Sequence, residues 1–236
     1  MGYSGQQNGS KELPFSETVL NVEFVEDLAP YREMKVRILN GAHTSMVPVG
    51  YLAGIRFVKE AMENEEVSNF VESLLLEEAA KTLDFPDDVK NKFVADVLDR
   101  FRNPLLKHQL ISISLNSTSK FIARLLPTLK DYYNLQGKLP KRIVFGLSAM
   151  LRFYKGEFNG ENIALNDDKS VLDFFTSEWH KVDDGTSSLA AFVNNVLKNT
   201  TIWGEDLTQI DGLTNSVAKN IENIEADGVA VCLKNL

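Results

Sequence analysis

Apolar residues follow two regimes along the chain. From Leu13 to Leu28, Val19, Leu20, Val22, Phe24 and Val25 are mixed with polar residues and hold no helical period, which predicts a strand or short extended arm. After Pro30 nearly every apolar position recurs at a spacing of three or four, the signature of helices with one buried face. The plainest stripe is Val89, Phe93, Val97 and Phe101, with Asp87 and Asp88 in its first turn and Pro104 as its stop. Similar stripes run through Val67, Phe70, Val71 and Leu74; Val171, Leu172, Phe175 and Trp179; Leu189, Phe192, Val193 and Val196; and Leu213, Val217, Ile221 and Ile224.

Two segments, Gln109 to Leu126 and Ile143 to Tyr154, are apolar on most faces and are expected as central helices. Tyr132 to Arg142 and Gly156 to Lys169 carry glycine, Asn, Asp or proline and are expected as loops. The pattern predicts one mainly α, multi-helical domain over residues 13–236. Residues 1–12, rich in Gly, Ser, Gln and Asn, are expected as a flexible tail or tag.

Composition narrows the function classes. The 236 residues hold 25 basic and 33 acidic side chains, for a net charge of −8. That balance opposes the phosphate attraction on which nucleic-acid binding depends. Cys232 is the single cysteine, which excludes an internal disulfide or a cysteine-built zinc site and fits a reducing, cytoplasmic setting. No apolar run approaches the roughly 18 residues of a membrane span. His43, His108 and His180 are too far apart in sequence for a metal-ligand spacing to stand out. Dinucleotide, P-loop, zinc-protease and nucleophile-elbow signatures are all absent.

What remains is a polar group in an otherwise apolar helix, Lys35, Asn40 and His43. At about 100° and about 1.5 Å per residue, Asn40 lies roughly 140° and His43 roughly 80° around from Lys35, so all three can line one elongated cavity. Val36, Leu39, Met46 and Val47 share that arc and are expected to strip water from the lysine and favour its neutral form. Gly41 between them costs helix stability, which makes sense if a ligand or another backbone comes close. The same spacing also fits a Lys35 that reaches solvent, an Asn40 that caps a break and a His43 satisfied in the core.

The motif Lys35-x4-Asn40-x2-His43 resembles the signature of the polyol-specific long-chain dehydrogenases, the mannitol dehydrogenase family. The stretch from Leu13 to Thr44 looks most like the branch that interconverts tagaturonate and altronate, and a second block, Arg100 to Phe121, is similar to the same branch. The resemblance implies a C-terminal helical domain of the mannitol dehydrogenase and 6-phosphogluconate dehydrogenase C-terminal type. It also implies a sugar-acid substrate and NAD as cofactor, bound mainly by an N-terminal Rossmann domain that this chain lacks.

By the same resemblance Lys35 is the general acid/base, Asn40 polarises the reacting oxygen, His43 orients the substrate and Lys120 contacts its far end. The mannitol branch has an arginine eight positions before that lysine, where this chain has Ser112, which implies a different far end. Lys120, Arg124 and Arg56 are candidates to meet a uronate carboxylate. His108 and His180 are expected at the surface or behind the site, and Phe174, Phe175 and Trp179 in the core. Fructuronate reductase and mannitol 2-dehydrogenase domains remain open, as does a helical binding or assembly module without catalysis.

Overall fold

A computed structural model describes residues 2–4 and 22–236. Strands β1 (Gly2–Ser4) and β2 (Val22–Phe24) pair in parallel, so part of the expected arm is extended, and residues 2–4 of the expected flexible tail form a paired strand instead. The remainder of the arm and most of the expected tail lie outside the described residues.

Helix α1 (Ala29–Lys35) opens on Pro30, whose fixed backbone suits a first helical turn. It runs through a π turn, Val36–Asn40, into α2 (Gly41–Leu52). Then come α3 (Val58–Glu63) and α4 (Glu65–Ser73), the latter capped by the Asn64 side chain accepting from the Val67 amide at 3.0 Å. A second π turn, Leu74–Ala79, follows, and after it α5 (Asp87–Phe101). The chain continues through α6 (Leu110–Ile113), α7 (Ser117–Arg124), α8 (Leu126–Gln136) and α9 (Lys141–Phe153). The two-residue strands β3 (Glu157–Phe158) and β4 (Glu161–Asn162) form a small antiparallel pair. Helices α10 (Lys169–Asp183), α11 (Leu189–Lys198), α12 (Thr200–Trp203), α13 (Leu213–Asp227) and α14 (Val229–Lys234) complete the chain.

The centre of the fold is α9, buried almost from end to end and packed on α2 at one side and α13 at another. Its approach to α2 requires glycine, because a Cβ on Gly146 would meet Ser45 Oγ at 1.9 Å. The amide groups of Arg142 and Ile143 at the head of α9 both donate to the Glu78 carboxylate, at 2.8 and 2.9 Å, which joins α9 to the second π turn. The helical stripes read from the sequence at α4, α11 and α13 all face the core.

Three expectations are corrected. The segment from Gln109 to Leu126 is not one helix. Asn116 takes a left-handed turn (φ 51°) and donates its amide to Asn166, splitting the segment into α6 and α7. The expected loop from Tyr132 is helical as far as Gln136, and the chain turns only at Gly137 (φ 65°). In α5 the buried face is Val94, Val97, Leu98 and Phe101, while Val89 stays 37% exposed. A row spaced only by fours drifts about 40° per step, so its first member leaves the buried face.

Candidate active site

Lys35 ends α1, Asn40 ends the π turn and His43 stands in the first turn of α2. A π turn re-aims the side chains that follow it and is frequent at functional sites. The three residues open onto one cleft of about 490 Å³, a volume in the range of small-molecule sites. Its opposite wall comes from Val58 of α3, from Arg100 and Phe101 at the end of α5, and from Leu106, Lys107 and His108. That last segment is held in place like a strand. The Val58 amide donates to the His108 carbonyl and the Leu110 amide to the Arg56 carbonyl, both at 2.9 Å.

The His43 ring lies 4.4 Å from the Phe101 ring and 5.9 Å from that of His108. Burial, then the nearby charges of His108, Arg124 and Arg100, push its pKa down to about 4, against a smaller opposing hydrogen bond to Leu39. At neutral pH the imidazole is therefore uncharged, with one nitrogen able to accept from a hydroxyl. The Asn40 carbonyl accepts from Thr44 Oγ1 at 3.0 Å and from Arg124 at 3.5 Å, and Arg124 also donates to Thr44 Oγ1 at 3.2 Å. The backbone of Asn40 is thus fixed, while its carboxamide bonds to no other described residue.

Lys35 departs from expectation. It is exposed: Met46 and Val47 turn into the core, and Leu39, although buried and lining the cleft, does not cover the side chain. Gly41 serves a neighbouring chain segment: a Cβ there would stand 3.1 Å from Leu125 and 3.8 Å from the Arg124 carbonyl.

The other candidates do not line the cleft. Lys120 donates to the Ile113 carbonyl at 2.8 Å, and burial and Arg124 lower its pKa. Its helix, α7, is anchored where Thr118 donates to Asp167, which also accepts from the Tyr154 hydroxyl. Arg124 stands directly behind Asn40. Arg56 donates to the Tyr51 and Ile55 carbonyls at 3.1 and 3.0 Å and lies 4.0 Å above the Tyr51 ring. His180 is exposed beside Asp184, and Phe175 and Trp179 are core, the indole donating to the Leu151 carbonyl. Sequence reasoning missed Arg100, Phe101, Leu106 and Lys107 and left His108 aside. Their one signal was membership of the second family-like block.

Among the described residues there is no cluster fit for a metal and no helix long and apolar enough to cross a membrane. Nor is there a parallel nucleotide-binding sheet. The family comparison covers most of this helical domain. Residues 27–225 fit the model of the mannitol dehydrogenase C-terminal domain, and the chain belongs to that family.

The chain is 44% identical over 225 residues to the altronate oxidoreductase of Yersinia enterocolitica, covering 95% of this chain and 47% of the relative. It is 42% identical over 235 residues to that of Pectobacterium carotovorum, covering 98% and 48%. The chain therefore spans about half the length of the curated relatives it matches. The fold is shared with Pseudomonas fluorescens mannitol 2-dehydrogenase, solved as a ternary complex with NAD and D-mannitol. The TM-score is 0.80 at 23% identity, over 92% of this chain and 42% of that one. A substrate-free D-sorbitol dehydrogenase matches with a TM-score of 0.72 at 21% identity, over 90% and 42%.

Proposed function

We propose that this chain is the substrate-binding and catalytic part of an NAD-dependent hexuronate oxidoreductase that converts tagaturonate and NADH to altronate and NAD. The observation that carries this reading is the convergence of Lys35, Asn40 and His43 on one cleft. The identity to altronate oxidoreductases supports the substrate class.

The described residues offer no glycine-rich turn at a helix head to cradle a dinucleotide. Bound elsewhere, the nicotinamide supplies the hydride. The work of this chain is the proton and the pose. Lys35 gives a proton from Nζ to the substrate oxygen as the carbonyl carbon is reduced, and takes it back in the other direction. Asn40 donates its amide to that oxygen as negative charge develops, and neutral His43 accepts from a neighbouring hydroxyl. Covering Lys35 falls to the bound substrate and whatever closes the open side of the cleft. Lys120 and Arg124 act from behind, on the segment that steadies Asn40.

The exposure of Lys35 favours a second reading, a binding or assembly module that does no chemistry. Tagaturonate-dependent loss of NADH absorbance separates the two. The expected result is no turnover by the chain alone and turnover once the separately expressed nicotinamide-binding domain of an altronate oxidoreductase is added. A folded chain that stays inactive in both arms would favour the module.

A further inference from the structure

Charge around the cleft is one-sided. Lys35, Arg100 and Lys107 line it together with His108 and the uncharged imidazole of His43, and no Asp or Glu does. This is unexpected in a chain whose acidic residues outnumber its basic ones by 33 to 25. Many cations elsewhere meet carboxylates: Arg37 pairs with Glu33 and Asp131, Lys130 with Glu205, Arg142 with Glu77 and Lys155 with Asp183, while Arg56 and Lys120 meet backbone carbonyls. Lys35, Arg100 and Lys107 join no ion pair and no side-chain hydrogen bond among the described residues.

Arg100 alone could be explained as a cation in the last turn of α5, where it complements the helix dipole. That does not account for Lys107 and His108, which lie beyond the helix and are brought to the cleft by backbone bonding to α3. Like charges gathered on a cavity repel one another and raise its potential, which concentrates anions there. The repulsion is felt inside the cleft, since Arg100 and His108 both act on His43.

We propose that Arg100, Lys107 and His108 form an anion subsite that takes the carboxylate of the sugar acid and so selects a uronate over a neutral polyol. The proposal rests on reading the cleft as the substrate site, and it adds residues that the family motif does not include. The Arg100 guanidinium can present two parallel N–H groups to a carboxylate, with Lys107 as a second charge. Arg56, by contrast, already donates to two carbonyls and lies over a ring. Lys120 and Arg124 are likewise engaged, with the Ile113 carbonyl and with Thr44 and Asn40.

The test follows the histidine proton resonances of this chain by NMR during titration with altronate, with its neutral counterpart altritol, and with inorganic phosphate. Altronate is expected to shift His43 and His108 and to raise the His43 midpoint from its value of about 4, because a bound anion offsets the surrounding cations. Altritol is expected to bind at least tenfold more weakly. Arg100→Gln and Lys107→Gln change exposed side chains, and each is expected to weaken altronate about tenfold or more. Altritol binding as well as altronate, or phosphate binding as tightly, would overturn the carboxylate subsite, the latter pointing to a phosphate-bearing ligand.

Turnover with the added nicotinamide-binding domain separates this proposal from the reading beneath it. Raised KM for tagaturonate in both variants, at little-changed kcat, supports the subsite. Normal KM in both variants overturns it and leaves the hexuronate reading standing. Altronate binding that depends on Arg100, in a protein that never consumes NADH, supports the subsite while the redox reading falls.

Discussion

Two cations separated by one residue of a single helical run have opposite surroundings. Arg37 is buried, with its guanidinium 2.6 Å from Glu33, 2.6 Å from Asp131 and 2.9 Å from Thr82. Lys35 is exposed, faces the cleft and meets no carboxylate. The same division extends outward. On the Arg37 side, Glu78 is buried and joins two elements through the head of α9, while on the Lys35 side Arg100 and Lys107 line the cleft and join no ion pair among the described residues. A charge whose partners are all supplied by the fold holds the fold together, and its removal is felt as lost stability. A charge left without partners beside a cavity adds little to stability and is free to meet a ligand.

The largest expected effect is on the bare side. Lys35→Ala should lower kcat for tagaturonate about 10²- to 10⁴-fold in the protein assembled with its nicotinamide-binding domain. Its urea unfolding free energy should change by less than about 0.5 kcal/mol, because the side chain is exposed. Near-normal turnover would remove the catalytic half of the contrast.

Arg37→Ala should show the reverse. A loss of about 2 kcal/mol in urea unfolding is expected, toward the low end for a broken buried pair because Glu33 and Asp131 are half exposed and can rehydrate. An unchanged unfolding midpoint would mean that the network holds nothing.

One titrating group on each side sharpens the comparison through pH. The folded pKa of Glu78 is raised from 4.5 to about 7, chiefly by burial, so its contribution to stability is full below pH 4.5 and is lost as pH rises through 7. His43 is depressed from 6.5 to about 4, so its contribution is full above pH 6.5 and is lost as pH falls through 4. Between pH 4.5 and 6.5 the two slopes oppose each other. Unfolding free energy across that window should fall with rising pH in His43→Gln and rise with pH in Glu78→Gln. Parallel slopes in the two variants would sink the assignment.

Ser45 belongs to neither side, since its buried hydroxyl has no hydrogen-bond partner. Ser45→Ala should be neutral or stabilising by up to about 1 kcal/mol, since an unpaired buried hydroxyl is costly. Gly146→Ala should cost about 1–3 kcal/mol by overpacking against it. The double variant should recover part of that loss in a thermal unfolding cycle, as expected for residues in contact.

The periodicity after Pro30 was enough to read a mainly helical chain, because the spacing of apolar residues reports which face of a helix must leave water. The Lys35, Asn40 and His43 motif was legible because all three lie within nine residues of one helical run, although the π turn between Lys35 and His43 departs from the α-helical angles that the spacing assumes. The opposite wall was not. Arg100, Lys107 and His108 reach the cleft only because α5 packs near the π turn and the Leu106–His108 stretch bonds to α3, contacts between residues some fifty positions or more apart. No local period records such a meeting. Tertiary packing also decided that Met46 and Val47 face the core and leave Lys35 uncovered, and that Asn116 breaks a run whose composition reads as one helix. A sequence shows what each segment can bury, and the competition among segments for the same core decides what stays open to a ligand.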